Sequence, residues 1–265
     1  MDIFVVSRSR WDKSDTLERL GDYSKCCTLI VPNKQVSRYR GLSAQYNCHL
    51  LGCPHDGISL TRKFCGTLCK SGKFLMLDDD LKFYCRVAKN DWHLKYPDDI
   101  GRSVGEMLTL VEKKLDHYAH VAISAREGNN RLPFCGVDCH RPLRALAYRK
   151  KEFLSVIHGR VQIMEDFDVS LQLLKRGYKN HVIACWAQGQ IETQMTGGCS
   201  DYRTHKLHED NVRKFAALHN GFVRLRQKTN KSGGEFGKRL EATIYWQRAW
   251  QSSQKKTPGN LPGVV

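Results

Sequence analysis

Three consecutive carboxylates, Asp78-Asp79-Asp80, follow directly on four apolar residues, Phe74-Leu75-Met76-Leu77. Acidic side chains in a row repel one another unless something positive sits among them. Asp78 and Asp80, two apart, face the same side if the extended conformation persists through Asp79. Held that way they suit one hard divalent cation, Mg2+ or Mn2+, and such a cation suits a diphosphate. An acidic turn closing a strand would account for the same residues. A second acidic group, Glu165-Asp166-Phe167-Asp168, opens a segment with Val169, Leu171, Leu173 and Leu174 at packing positions and Gly177-Tyr178 behind it. Capping of a helix by Asp166 or Asp168 explains one of these acids but does not need three. At a helix start the positive dipole end would keep Asp166 ionised and lower its pKa.

The elements around these acids alternate between short apolar runs and helical spacing. Residues 3–6, 28–31, 49–51, 74–77, 120–124 and 182–186 read as strands, and 15–20, 34–44, 58–69 and 104–117 as helices. Leu143 to Phe153 reads as one more strand, and Phe83 to Asp99, with no clean period, as a mobile loop. The alternation predicts an α/β fold, and ligands of open α/β sheets bind at the carboxyl ends of the strands. Asp78–Asp80 stand at such an end. So do Ser7, Arg8 and Arg10 after the first strand, where hydroxyls and guanidinium groups suit a nucleotide; solvated loop arginines are the alternative. Arg62 and Lys63 precede the acidic strand, and one of them is expected to neutralise its carboxylates or a bound nucleotide. Asn129, Asn130 and Arg131 lie in a polar loop after the 120–124 strand; Asn and Arg can pair with base edges, and a plain surface loop fits equally.

At 265 residues the chain can bury a real core, and its formal net charge is +16. Such an excess favours polyanionic partners: nucleic acid, anionic membrane or nucleotide substrates. No apolar run approaches the roughly 20 residues of a membrane span and the start lacks a signal-peptide pattern, so a soluble, cytoplasmic protein is expected. Eleven cysteines include Cys65-x3-Cys69 and Cys135-x3-Cys139-His140. Neither spacing is the paired motif of a structural zinc site, and reduced core thiols are expected. Tyr202 to Trp250 is basic and partly helical, with Arg203, Arg224 and Arg226 among its cations and Trp246 and Trp250 at helical spacing. Ser232-Gly233-Gly234 reads as a flexible break and Gln251 to Val265 as a disordered end. The expected organisation is a catalytic domain over 1–200, a basic extension over 201–250 and a flexible tail over 251–265, acting as a monomer.

Taken together, these pieces resemble a GT-A glycosyltransferase, whose Rossmann-like mixed sheet is flanked by helices. The likeness covers roughly residues 1–190: a first strand ending in small and basic residues, Gly57-Ile58 to Arg62, Asp-x-Asp at 78–80, and the Glu165-Asp166 helix. More narrowly, Ile123-Ser124-x-Arg126-x-Gly128-Asn129-Asn130-Arg131 and Gly197-Gly198-x-Ser200-x-Tyr202-Arg203 resemble phage DNA glycosyltransferases associated with TET/JBP-type hydroxylases. The resemblance implies a metal-dependent, inverting transfer from a nucleotide-sugar, a UDP-sugar by preference, to 5-hydroxymethylpyrimidines in double-stranded DNA with the target base flipped. It implies Mn2+ or Mg2+ on Asp78 and Asp80, with His205 or His208 completing the metal or diphosphate site. It also implies donor contacts from Ser7, Arg8, Arg10, Arg62 and Asp79, a general base in Asp166, and acceptor contacts from Asn129, Asn130, Arg131, Arg203, Arg224 and Arg226. Three other readings remain: a GT-A enzyme with a protein or glycan acceptor, a nucleotidyltransferase, for which no Gly-rich phosphate loop is evident, and a non-catalytic DNA-binding module, which has no use for two acidic clusters.

Overall fold

A computed structural model describes residues 1–89, 92–190, 204–229 and 238–255. In chain order the principal elements are β1 (Asp2–Val6), α1 (Asp15–Leu20), β2 (Cys27–Pro32), α2 (Val36–Gln45), β3 (His49–Cys53), α3 (Ile58–Leu68), β4 (Lys73–Asp78), β5 (Leu81–Arg86), β6 (Leu94–Lys95), α4 (Val104–Lys114), β7 (His120–Ala125) and β8 (Val137–Asp138). They continue with β9 (Ala145–Arg149), α5 (Lys150–Leu154), α6 (Glu165–Lys175), β10 (Asn180–Gln190), α7 (His205–Leu218), β11 (Val223–Thr229), β12 (Lys238–Ile244) and α8 (Trp246–Gln254). The main sheet runs β3-β2-β1-β4-β9-β7-β10-β5-β6, with β8 paired to β10. Strands β3, β2, β1 and β4 are mutually parallel, and β9 enters antiparallel between β4 and β7. The four parallel strands bring the loop after β1 and the end of β4 to one edge, with Val6 paired to Asp78.

The central strands are buried on both faces. Leu75, Leu77, Val5 and Leu29 enter one apolar cluster with α1, α2 and α4, while Phe74, Met76, Phe4 and Ile30 enter another with α3, α5 and α6. Local chemistry sets the helix starts. The Ser14 side chain caps α1 by accepting from the Leu17 N–H, and Ser103 with Glu106 forms a reciprocal capping box on α4.

Two expectations are corrected. The stretch read as a loop from Phe83 begins in β5, which pairs antiparallel with β10, and includes β6. Leu81, Phe83, Tyr84, Cys85 and Arg86 are all buried, so this strand lacks the alternation that marks a half-exposed one. The run read as a single strand from Leu143 to Phe153 is β9 followed at once by α5; it starts late because Arg144 is left-handed, at φ 59°. Ten free cysteines are described, most of them buried, with Cys26 and Cys135 exposed. Burial pushes the Cys27 thiol up to about 12 and Cys139 to about 11, in keeping with protonated core thiols.

The basic C-terminal region is partly helical, as expected, and it also contains the antiparallel hairpin β11–β12. It packs on the body through a third apolar cluster: Phe215 of α7 and Ala249 of α8 meet Phe167, Leu171 and Leu174 of α6. Trp246 and Trp250 join that cluster from α8, whose last residues, Gln251–Gln254, were expected to be disordered. The Ser232-Gly233-Gly234 break, the boundary near 200 and residues 256–265 lie outside the described residues. No described helix is long and apolar enough to cross a membrane.

Candidate active site

The first acidic cluster divides its labour residue by residue. Asp78, at the end of β4, receives Arg62 Nη2 on Oδ1 at 3.0 Å. Asp79 turns inward and is 5% exposed, accepting from the Ser7 hydroxyl and from Arg10 Nη1 at 2.6 Å. Asp80 takes the same Arg10 Nη1 at 2.8 Å and both of its oxygens accept from Gln190 Nε2, at 2.9 and 3.1 Å. Tyr39 braces the β1 side: its hydroxyl meets Ser7 Oγ at 2.8 Å and accepts from the Arg10 backbone N–H at 2.9 Å. Burial raises the pKa of Asp79 to about 7 even with Arg10 and Ser7 pulling it down. Burial likewise raises Asp78, against Arg62. For Arg10 burial works against the charge, but Asp79 and Asp80 outweigh it and hold the guanidinium firmly protonated. This corner of the molecule therefore still favours added positive charge.

Arg62 joins this cluster to the second one. Its Nη1 lies 2.6 Å from Glu165 Oε1, while its Nη2 holds Asp78, and the residue is 8% exposed. Sequence reading expected Arg62 or Lys63 to neutralise the carboxylates, and Arg62 does so for one acid of each cluster. Helix α6 starts without a side-chain cap: its N-cap is Met164, left-handed at φ 68°. Asp166 instead accepts from the next backbone N–H, that of Phe167, at 2.9 Å. Its pKa is raised, chiefly by burial and against the pull of Arg62, which corrects the expectation that the helix dipole would lower it. Burial and neighbouring Asp166 push Glu165 up to about 7, although Arg62 opposes the shift. Asp168 caps nothing; it is 2% exposed, gripped by Nε and Nη2 of Arg160 and by His219 Nε2 at 2.7 Å.

The remaining expected residues are dispersed. Arg8 lies 3.9 Å from Asp56 beside the β1 loop. Asn129 is fully buried and fully engaged: its amide donates to the Ser124 hydroxyl and to the Ala184 carbonyl at 2.9 Å, and its Oδ1 accepts from Arg86 at 2.8 Å. It shapes the loop and leaves no edge for a base, whereas its neighbours Asn130 and Arg131 are exposed. Arg224 and Arg226 lie exposed on β11, with Arg226 3.4 Å from Glu241 across the hairpin. His205 and His208 turn to that hairpin rather than to the carboxylates, meeting the carbonyls of Lys238 at 2.8 Å and Leu240 at 3.0 Å. Arg203 lies outside the described residues. Tyr39 and Gln190 are site neighbours that sequence reading missed; both reach the acids from distant elements, and no local motif marks either.

Among the described residues no group of three or more His, Cys, Asp or Glu is arranged to hold a metal ion unaided. Asp78 and Asp80 supply oxygen donors only, on side chains 27% and 19% exposed. That set fits a hard cation completed by phosphate oxygens and water, and fits zinc poorly.

Comparison with known proteins identifies the fold and the family. TarS from S. aureus, a 1–349 fragment solved with UDP-GlcNAc, superposes with a TM-score of 0.53 at 11% identity, covering 82% of this chain and 66% of that one. Glucosyl-3-phosphoglycerate synthase from Mycobacterium tuberculosis, solved with Mn2+, UDP-glucose and phosphoglyceric acid, superposes with a TM-score of 0.50 at 8% identity, covering 84% and 82%. This chain thus spans just under two thirds of the TarS fragment, and at such identities the likeness is one of fold, the GT-A fold. No curated protein matches the sequence. The model of the TET-associated glycosyltransferases matches residues 1–198. The chain belongs to that family and is a glycosyltransferase.

Proposed function

We propose that this glycosyltransferase moves a sugar from a nucleotide-sugar, a UDP-sugar by preference, onto the hydroxymethyl group of a modified pyrimidine in double-stranded DNA, inverting the anomeric configuration. The observation that carries the reading is Arg62, which holds Asp78 and Glu165 at 3.0 and 2.6 Å and so draws the two acidic clusters into one site. One cluster suits the donor diphosphate and the other the acceptor proton. TarS, solved with UDP-GlcNAc, and the mycobacterial synthase, solved with Mn2+ and UDP-glucose, support the donor. The family's association with TET-type hydroxylases and the charge of +16 support a DNA acceptor.

Asp78 and Asp80 would hold Mn2+ or Mg2+, which when bound neutralises the diphosphate leaving group. Ser7, Arg8, Arg10 and Arg62 line the nucleotide side. Asp79, locked by Ser7 and Arg10, fixes Arg10 there rather than touching the donor. Asp166 accepts the proton of the acceptor hydroxymethyl group as its oxygen attacks the anomeric carbon; the bond from that carbon to the diphosphate breaks, and the nucleoside diphosphate leaves. Burial raises the pKa of Asp166, against Arg62, which makes it a stronger base than an ordinary aspartate. Exposed Asn130, Arg131, Arg224 and Arg226, with Arg203, would contact DNA. A base within the stack is out of reach, so it is flipped at a cost of a few kcal/mol. The enzyme would act as a monomer in the cytoplasm.

The test is mass spectrometry of duplex DNA carrying 5-hydroxymethylcytosine or 5-hydroxymethyluracil after incubation with mixed nucleotide-sugars, with and without Mn2+. A mass increase of one sugar on one of the two bases, lost in EDTA, is expected. Hydrolysis of the donor with no mark on either DNA would reassign the acceptor; transfer undiminished in EDTA would remove the metal.

A further inference from the structure

Helix α6 carries Glu165 and Asp166 in its first turn yet begins without a side-chain cap, through a left-handed methionine. Such a start needs support from elsewhere. The support comes from the C-terminal region, beyond the family-matched residues 1–198. On the approach to α6, Asn211 of α7 accepts from the backbone N–H groups of Gln162 at 2.8 Å and Ile163 at 3.4 Å. Its amide is anchored in turn to the Leu207 carbonyl at 2.8 Å. One turn into α6, His219, the C-cap of α7, meets Asp168 Oδ1 at 2.7 Å, and Arg160 grips the same carboxylate beside it, its Nη2 3.2 Å from His219 Nε2. Between these two points Trp246 of α8 stacks edge-on against Phe167 at 5.5 Å.

His219 is fully buried, and its Nδ1 has no partner. With Nε2 against a carboxylate oxygen, the ring proton belongs on Nε2 and donates to Asp168. Burial lowers the His219 pKa, outweighing the pull of Asp168, so the ring stays neutral and the direction of this bond is fixed. Burial disfavours the Asp168 carboxylate, yet its bonds to His219 and Arg160 leave its pKa below the usual value. Neither partner of this bond is among the residues assigned to donor or acceptor.

We propose that His219 and Asn211 are positioning residues: the C-terminal region clamps the first turn of α6 from both sides and thereby sets Asp166 against the acceptor. The inference rests on Asp166 as the base, and assigns a catalytic consequence to a region that the family match leaves out. Misplacing a reacting group by about 1 Å can cost about a hundredfold in rate, which makes the clamp measurable.

The experiment compares His219→Leu with His219→Gln, which keeps a side-chain N–H, in DNA transfer and donor binding, with thermal melting to correct for the folded fraction. His219→Leu should lower kcat by about 10–100-fold with donor KM unchanged, and His219→Gln should recover most of the loss. On an Asp166→Asn background His219→Leu should cost nothing further, since the group it positions is already gone. Normal kcat in folded His219→Leu, equal loss in the Gln variant, or a full additional loss on the Asp166→Asn background overturns the positioning role. Near-normal transfer by Asp166→Asn alone removes the base reading and the proposal with it, whereas loss in Asp166→Asn beside normal turnover in His219→Leu removes the proposal alone.

Discussion

The cluster at the end of β4 and the cluster at the start of α6 each contain one acid paired with Arg62 and one locked deep in the fold by other partners. Asp78 and Glu165 share Arg62. The third acids are not bonded to Arg62: Asp80 is held by Arg10 and Gln190, and Asp166 accepts from the Phe167 N–H. The locked acids, Asp79 and Asp168, differ instructively. Both are almost fully buried and both face an arginine, yet Asp79 is pushed up to about 7 while Asp168 falls below its ordinary value. Asp79 shares Arg10 with Asp80, whose charge adds repulsion. Asp168 has two Arg160 nitrogens, His219 and Gln172. Three carboxylates crowded at a strand end are short of cations, which is the condition of a site that receives one. The helix cluster is electrically closed at Asp168, which is the condition of a support.

The largest expected effect breaks the first cluster. Asp78→Asn or Asp80→Asn should reduce turnover about a hundredfold to a thousandfold without lowering the melting temperature, because each substitution relieves repulsion. Wild-type rates in either variant would remove those carboxylates from catalysis. Next comes Asp166→Asn, which should lose about a hundredfold in transfer while donor affinity, measured by calorimetry, is retained.

A subtler effect separates Glu165 from Asp166. Burial raises Asp166 and pushes Glu165 up to about 7, so the acid limb of the pH–rate profile should lie above the ordinary carboxylate value. Activity should therefore rise with pH through that limb. Glu165→Gln removes a neighbouring negative charge and leaves Arg62 less neutralised, so the limb should move to lower pH. A limb that stays in place would mean that another group sets it.

The smallest effects concern stability and should have opposite signs. The raised pKa of Asp79 means that the folded state binds its proton more tightly than the unfolded chain. Its ionisation therefore costs stability as pH rises from about 4 towards 7, and Asp79→Asn should melt about 2–4 °C above wild type at pH 8. The pKa of Asp168 is lowered, so its contribution is present above the unfolded value of 3.8 and is lost as pH falls through the folded one. Asp168→Asn should accordingly melt below wild type at pH 8 and approach it in acid. Shifts of the same sign in both variants would erase the distinction between a cation-poor site and a closed support.

Much of this was legible from local pattern. An apolar run ending in acids gave β4 and its carboxyl edge, the leucine spacing after Glu165 gave α6, and two cations ahead of the acidic strand pointed to Arg62. What stayed hidden depends on partners remote in sequence. Asp168 reads as a helix cap until His219 and Arg160 fold against it, and the burial that raises Asp166 is a property of packing, which defeats a dipole argument made from the helix alone. Asn129 looked like a reader of bases because a polar loop residue gives no sign of being drawn into the core. Strand β5 was missed because a strand covered on both faces loses the alternation used to find one.

The left-handed residue before α6 has a consequence for what the chain tolerates there. At φ 68° a β-branched side chain is excluded and glycine is the unstrained choice. Yet Met164 is also partly buried against the apolar cluster that joins α6 to the C-terminal region. Glycine would relieve about 1 kcal/mol of backbone strain and forfeit a contact worth a similar amount. Substitution by glycine is thus nearly neutral for stability, while valine or isoleucine at the same place loses on the backbone without matching the reach of the methionine. A library varied at position 164 should retain methionine, glycine and asparagine and discard branched residues, a pattern of acceptance set by one dihedral angle.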